Sequence, residues 1–131
     1  MSTKVGVWEP RAALRLDAEK LGHLVTLMNA AEGDNVVGLL SEREIANEAG
    51  LMKLNEEDWQ AAESLEDFEI TTLIRFFTLA EMQYAGWDGG KQSPVIYLVR
   101  ILRRRDNFPA ELRKWIKAHT ENRFLPYGSA L

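Results

Sequence analysis

The chain has 131 residues, 46% hydrophobic and 27% charged, and it contains no Cys. A chain of that length and make-up is one ordinary globular domain, able to hide roughly two-thirds of its unfolded surface without a metal or disulfide staple. The lack of Cys excludes thiolate nucleophiles, CxxC redox pairs, iron–sulfur clusters and Cys-built zinc sites. No run approaches the ~18 apolar residues of a membrane span, so a soluble, cytoplasmic protein with no cofactor and no bound metal is expected.

Residues 1–16 read as an N-terminal tail or docking segment carrying Val5, Val7 and Trp8. From about Asp17 to Ala31, Leu21, Leu24, Val25, Leu27 and Met28 share one half of a helical wheel. That spacing predicts an amphipathic helix capped by Asp17 and stopped at Glu32-Gly33-Asp34, with His23 on its polar half. Ser41-Glu42-Arg43-Glu44 is a capping box, so a short helix runs from Glu42 to Ala49, and Gly50 suits the left-handed position after it. Asn55 caps another short helix through Trp59 and Ala62. Ser64 with Asp67 reads as the box that opens the longest one.

From Leu65 to about Tyr84 the wheel carries Phe68, Ile70, Leu73, Ile74, Phe76, Phe77, Ala80 and Tyr84 on a very wide apolar arc, with Leu79 and Met82 outside it. A helix apolar around so much of its girth belongs in the centre of a bundle. Gly86-Trp87-Asp88-Gly89-Gly90 ends it. Ser93-Pro94 is the N-cap and first residue of a helix to about Arg104. Asp106-Asn107-Phe108-Pro109 repeats that grammar before a last helix to about His119, whose stripe is Leu112, Trp115 and Ile116. So short a joint predicts that these two helices are antiparallel or steeply angled neighbours. Residues 120–131 form an extended C-terminal segment too apolar to be solvated throughout. The expected fold is therefore all-α, a compact single-domain bundle of about five helices over residues 1–131, with the 65–84 helix central.

The formal net charge of −4 hides a division near residue 90. Residues 1–90 carry 7 Lys/Arg against 17 Asp/Glu, a balance of −10, while residues 91–131 carry 9 against 3, a balance of +6. Such asymmetry marks either a polyanion-binding end or two oppositely charged layers attracting each other across a seam. Arg100, Arg103 and Arg104 cluster on the polar side of one helix, Arg113, Lys114 and Lys117 on the next, and Arg123 follows. Together they could neutralise several nucleic-acid phosphates, but the faces lack interleaved aromatics and Arg103–Arg105 sit where any helix end favours cations.

Ile45-Ala46-Asn47-Glu48-Ala49-Gly50-Leu51 resembles the first helix and turn of helix-turn-helix units in its Ala-x-x-x-Gly spacing. The recognition position that this implies carries Glu56, Glu57 and Asp58, which repel phosphate. The loop from Gly86 to Ser93 lacks the spacing and the preceding strand of a nucleotide-binding loop. A small anion could still be held by the free N–H groups at Ser93-Pro94 with Lys91 beside them. Alternatively the loop is a plain joint whose glycines supply positive φ while Trp87 plugs the core.

Glu81 lies near the middle of the apolar arc, between Ile74 and Phe77. Burial there favours the protonated form and makes Glu81 the candidate acid or base of a small enzyme, if a cleft joins it to a group such as Tyr97, Lys91 or His119. His23 and His119 have no metal-ligand spacing. Ser129-Ala130-Leu131 matches the loose C-terminal pattern accepted by PDZ-type grooves. With no convergent nucleophile, base and oxyanion donors, the expectation is a small non-catalytic interaction or regulatory module that contacts another protein or a second copy of itself, not a membrane. Trp8, Trp87, Phe124 and Tyr127 are its contact candidates. Nucleic-acid binding through the basic helices and acid–base catalysis by Glu81 are the alternatives.

Overall fold

Asp17, Ser41 and Ser93 each set a side-chain oxygen on a free N–H of the turn that follows, which is how a helix start is stabilised. In the computed structural model, which describes residues 16–128, these caps open α1 (Ala18–Asn29), α2 (Glu42–Glu48) and α4 (Pro94–Arg104). Two further helices, α3 (Asp67–Gln83) and α5 (Ala110–His119), complete the α-helices of the described residues. The expectations placed on Trp8 with the rest of residues 1–15, and on Ser129-Ala130-Leu131, lie outside that range.

The architecture is an all-α bundle, with no strand among the described residues. α1, α4 and α5 all pack on α3, which is central as its wide apolar arc predicts. Ile70, Leu73, Ile74, Phe76, Phe77 and Ala80 of α3 are buried, together with Leu21, Leu24, Val25 and Met28 of α1. The aromatic rings concentrate at one level: Trp59, Phe76, Phe77, Tyr84 and Trp87 meet in edge-on and stacked pairs with centroids 5.1 to 6.4 Å apart. No helix among the described residues is long and apolar enough to cross a membrane.

Several local expectations are corrected. The short helix expected after Asn55 is a 3₁₀ helix, Glu56–Ser64. The reason is in the spacing, since Trp59, Ala62 and Leu65 are buried at every third position, the period at which 3₁₀ side chains eclipse. Past α2 the chain tightens directly into a 3₁₀ turn, Ala49–Lys53, which buries the consecutive Leu51 and Met52, and Gly50 is not left-handed. α3 is opened by Glu66 and Glu69, with Glu69 accepting from the Glu66 N–H at 2.9 Å, and not by Ser64 and Asp67. At the same end Phe68 is 61% exposed, although it lies on the apolar arc, while Leu79, outside the arc, is buried.

Asp106 closes α4 and does not open α5. It adopts φ 57°, and the N–H groups of Asp106 and Asn107 reach back to the carbonyls of Arg103 (3.0 Å) and Leu102 (2.8 Å), the two bonds of a Schellman motif usually built on Gly. After this reversal α5 packs on α3.

Candidate functional site

The C-terminal half of α3 places Glu81 on the helix's buried side, and the chain then doubles back through the glycine loop. Gly86, at φ 84°, makes the first turn. At Gly89 a Cβ would stand 2.7 Å from the Cα of Ser93, so glycine alone allows the loop to press against the start of α4. That close approach brings the Gly89 N–H to Glu81 Oε1 at 3.1 Å and the Ser93 hydroxyl to Glu81 Oε2. Ser93 Oγ in turn accepts from the Val95 N–H at 3.1 Å as the cap of α4.

A third donor arrives from the C-terminal segment. Asn122 Nδ2 donates to Glu81 Oε1 (3.2 Å) and to the Gly90 carbonyl (3.0 Å), while its Oδ1 accepts from the Phe124 N–H (2.9 Å). One carboxylate thus ties together the end of α3, the glycine loop, the start of α4 and the C-terminal segment. Glu81 is only 8% exposed. Burial pushes its pKa above the usual carboxylate value, the bonds from Ser93, Gly89 and Asn122 pull it down, and the charge of Asp88 pushes it up. At Ser93-Pro94, where an anion site was expected, Ser93 is fully buried with its hydroxyl engaged by Glu81 and the Val95 N–H, and Lys91 is exposed.

Glu81 also lines a cleft of about 390 Å³ between this loop and the C-terminal segment. Asp88 and Glu121, both exposed, add carboxylates, and Met82 and Phe124 supply apolar wall. Met82 is 43% exposed, and the Arg123 guanidinium lies 5.0 Å from the centre of the Phe124 ring. The expected companions of Glu81 lie elsewhere. Tyr97 packs under Arg100, His119 stacks on Trp115 and reaches Asp34 Oδ2 at 3.0 Å, and Lys91 points to solvent; Ser93 and Asn122 take their place.

The basic residues divide between two neighbourhoods. On α4, Arg100 pairs with Glu56 at 2.8 Å and Arg104 with Glu63, both carboxylates belonging to the 3₁₀ segment Glu56–Ser64. Arg105 donates to Asp67 Oδ1 at 2.6 Å and to the carbonyls of Leu65 and Glu63, and Arg103 lies over the Tyr127 ring. Arg113, Lys114 and Lys117 lie on α5, whose Trp115 is covered by Arg75 of α3. The charge division is therefore partly a seam, with α4 arginines meeting carboxylates from the acidic two-thirds of the chain.

Of the aromatic contact candidates, Trp87 is corrected to a core residue. It is fully buried and its Nε1–H donates to the Ile45 carbonyl at 2.8 Å, as a tryptophan with a satisfied polar edge does in a core. Phe124 is half-buried on the cleft, and Tyr127 is 45% exposed. The sequence reading missed Asn122, Asp88 and Glu121 as members of the cleft. A carboxylate at the centre of an apolar arc signals that donors must converge on it, but no local pattern says from where. No protein-family model, curated protein or solved structure compared with the chain matches it.

Proposed function

We propose that the protein is a non-catalytic interaction module whose contact surface is the Glu81 cleft, and that it takes a basic side chain displayed by a partner protein. The observation that carries this reading is the cleft's make-up: three carboxylates, Glu81, Asp88 and Glu121, against one lining cation, Arg123, beside the partly exposed Met82 and Phe124 in a recess of about 390 Å³. A lysine or arginine suits both parts, since its methylene stem lies on apolar wall while its head answers the carboxylates. An incoming cation also offsets the repulsion between Asp88 and Glu81. Glu81 itself is the keystone of the site, with both oxygens already engaged by the protein's own donors.

A titration followed by backbone amide shifts tests this, using a short Arg/Lys-rich peptide and an acidic peptide of equal length. The basic peptide should perturb Asp88, Gly90 and the 121–124 segment and weaken as salt is added, because rim charges are screened. The double substitution Asp88→Lys with Glu121→Lys should reduce its affinity at least about tenfold, the scale of losing two partly exposed charge pairs. Equal binding of the acidic peptide, or shifts confined to other faces, would refute the proposal.

The Glu81 acid–base reading is favoured by one observation, that its raised pKa occurs in a carboxyl lining this cleft. It requires Glu81 to exchange its Ser93 or Gly89 bond for a substrate. In that case Glu81→Gln would abolish a turnover that peptide binding survives.

A further inference from the structure

The Glu81 cleft already contains a cation of its own. Arg123 lines it beside Glu81, Asp88 and Glu121, and its guanidinium lies over the Phe124 ring, 5.0 Å from the centroid. That is within the roughly 6 Å over which a ring face attracts a cation. Phe124 and Met82 are also the apolar side chains of the cleft. The surface on which an incoming basic side chain would lay its stem is therefore one that Arg123 covers.

How Arg123 is held decides whether it can leave. The guanidiniums of Arg100, Arg104 and Arg105 are paired with Glu56, Glu63 and Asp67, whereas Arg123 is exposed and has no hydrogen-bond or ion-pair partner among the described residues. Contact with an exposed ring favours the covering position by only about two- to fivefold. The backbone on either side is fixed more firmly. Asn122 donates to Glu81 and to the Gly90 carbonyl and accepts from the Phe124 N–H. The Leu125 N–H donates to the Asn122 carbonyl at 3.1 Å, and the Leu125 side chain is buried. Rotation of the Arg123 side chain thus uncovers the ring while the bonds to Glu81 stay in place.

We propose that Arg123 is a built-in competitor for the cleft: its guanidinium occupies the Phe124 face in the free protein, and a partner's lysine or arginine replaces it there. This rests on the reading of the cleft as a site for a partner's basic side chain. It adds that binding exchanges one cation for another, so that the chain's own residue holds the affinity down.

The test uses ¹³C,¹⁵N-labelled protein and an unlabelled short Arg/Lys-rich peptide. In the free protein the Arg123 Cδ protons should resonate upfield of their position in Phe124→Leu, because they lie over the ring. At saturation with peptide they should move to that position. Arg123→Gln should bind the peptide about fivefold tighter, the scale of one exposed cation–ring contact. Lys91→Gln removes an exposed cation next to Gly90 without uncovering the ring, and should change the affinity less than about twofold. Arg123 protons that stay upfield at saturation, or equal or weaker binding by Arg123→Gln, overturn the proposal. So does an equal gain in Lys91→Gln, which would reduce the effect to general repulsion. In those cases peptide shifts at Asp88, Gly90 and the 121–124 segment leave the cleft reading standing. Their absence in both the parent and Arg123→Gln refutes that reading and the competitor with it.

Discussion

Replacing Ser93 with Ala removes one buried hydroxyl and two hydrogen bonds, the cap on the Val95 N–H and the bond donated to Glu81. Loss of a helix cap costs about 1 kcal/mol. Loss of a bond to a buried carboxylate costs about 1.5–3 kcal/mol. The two share an oxygen and are not independent, so the sum at neutral pH is about 3 kcal/mol. That is a large part of the ~5–15 kcal/mol that holds a domain folded. The loss is also pH-dependent. Glu81's pKa in the folded protein lies above its ordinary value of 4.5, chiefly through burial, and the Ser93 bond is the first of the contacts that pull it back down. A group with a raised folded pKa gives its full stabilisation below the unfolded pKa and loses it as pH rises through the folded one.

Removing Ser93 raises that folded pKa further, so the variant loses more than the parent as the pH climbs. The deficit should be about 1–2 kcal/mol at pH 4, where Glu81 is neutral, and about 3 kcal/mol at pH 8. Urea denaturation at both pH values measures it, with unchanged slope and a midpoint lowered by about 1.5 M at pH 8 for a slope of about 2 kcal/mol/M. A deficit that is flat with pH, or larger at pH 4, would show that the Ser93 contact does not stabilise the charged carboxylate.

Asp106→Gly should stabilise the protein by about 0.5–1 kcal/mol, since glycine adopts positive φ without penalty and a carboxylate is removed from a helix C-terminus. Asp106→Ala should destabilise it. Calorimetry should find melting temperatures shifted in opposite directions by a few degrees, and shifts of the same sign would disprove the cap. Arg104→Ala should cost under ~0.5 kcal/mol, because its pair with Glu63 is half exposed. Arg105→Ala should cost more, since loss of its bonds to the Leu65 and Glu63 carbonyls alone amounts to about 1–2 kcal/mol. Chemical denaturation of the two variants side by side decides this, and equal losses would contradict it. Trp87→Phe should lower stability by about 2 kcal/mol, combining a lost bond to Ile45 with a void in the aromatic cluster; a change below about 0.5 kcal/mol would place Trp87 outside the core.

Much of the fold is legible locally because caps and stripes act within a few residues. Asp17, Ser41 and Ser93 announce their helices by chemistry that needs no distant partner, and the wide apolar arc of 65–84 identifies the central helix. For Glu56–Ser64 a helix start at Asn55 was legible, while its 3₁₀ form, with Trp59, Ala62 and Leu65 buried at every third position, emerged only in the structure. Asp106 misled because Asp serves both as N-cap and, less often, as a left-handed C-terminal residue, and only backbone geometry separates the two uses. Phe68 misled because a wheel assigns a face but not what the rest of the chain places against each position on it.

By itself the sequence determined the helical class, most helix starts, the place of Glu81 on the apolar arc and the charge division. Tertiary structure alone decided what those charges meet. The donors to Glu81 come from 8, 12 and 41 residues away in the chain. The carboxylate partners of Arg100, Arg104 and Arg105 are 44, 41 and 38 residues away. Hydrogen bonds and ion pairs act over a few ångströms, so pairings across such separations exist only once the packing of the helices on α3 has fixed where each segment lies.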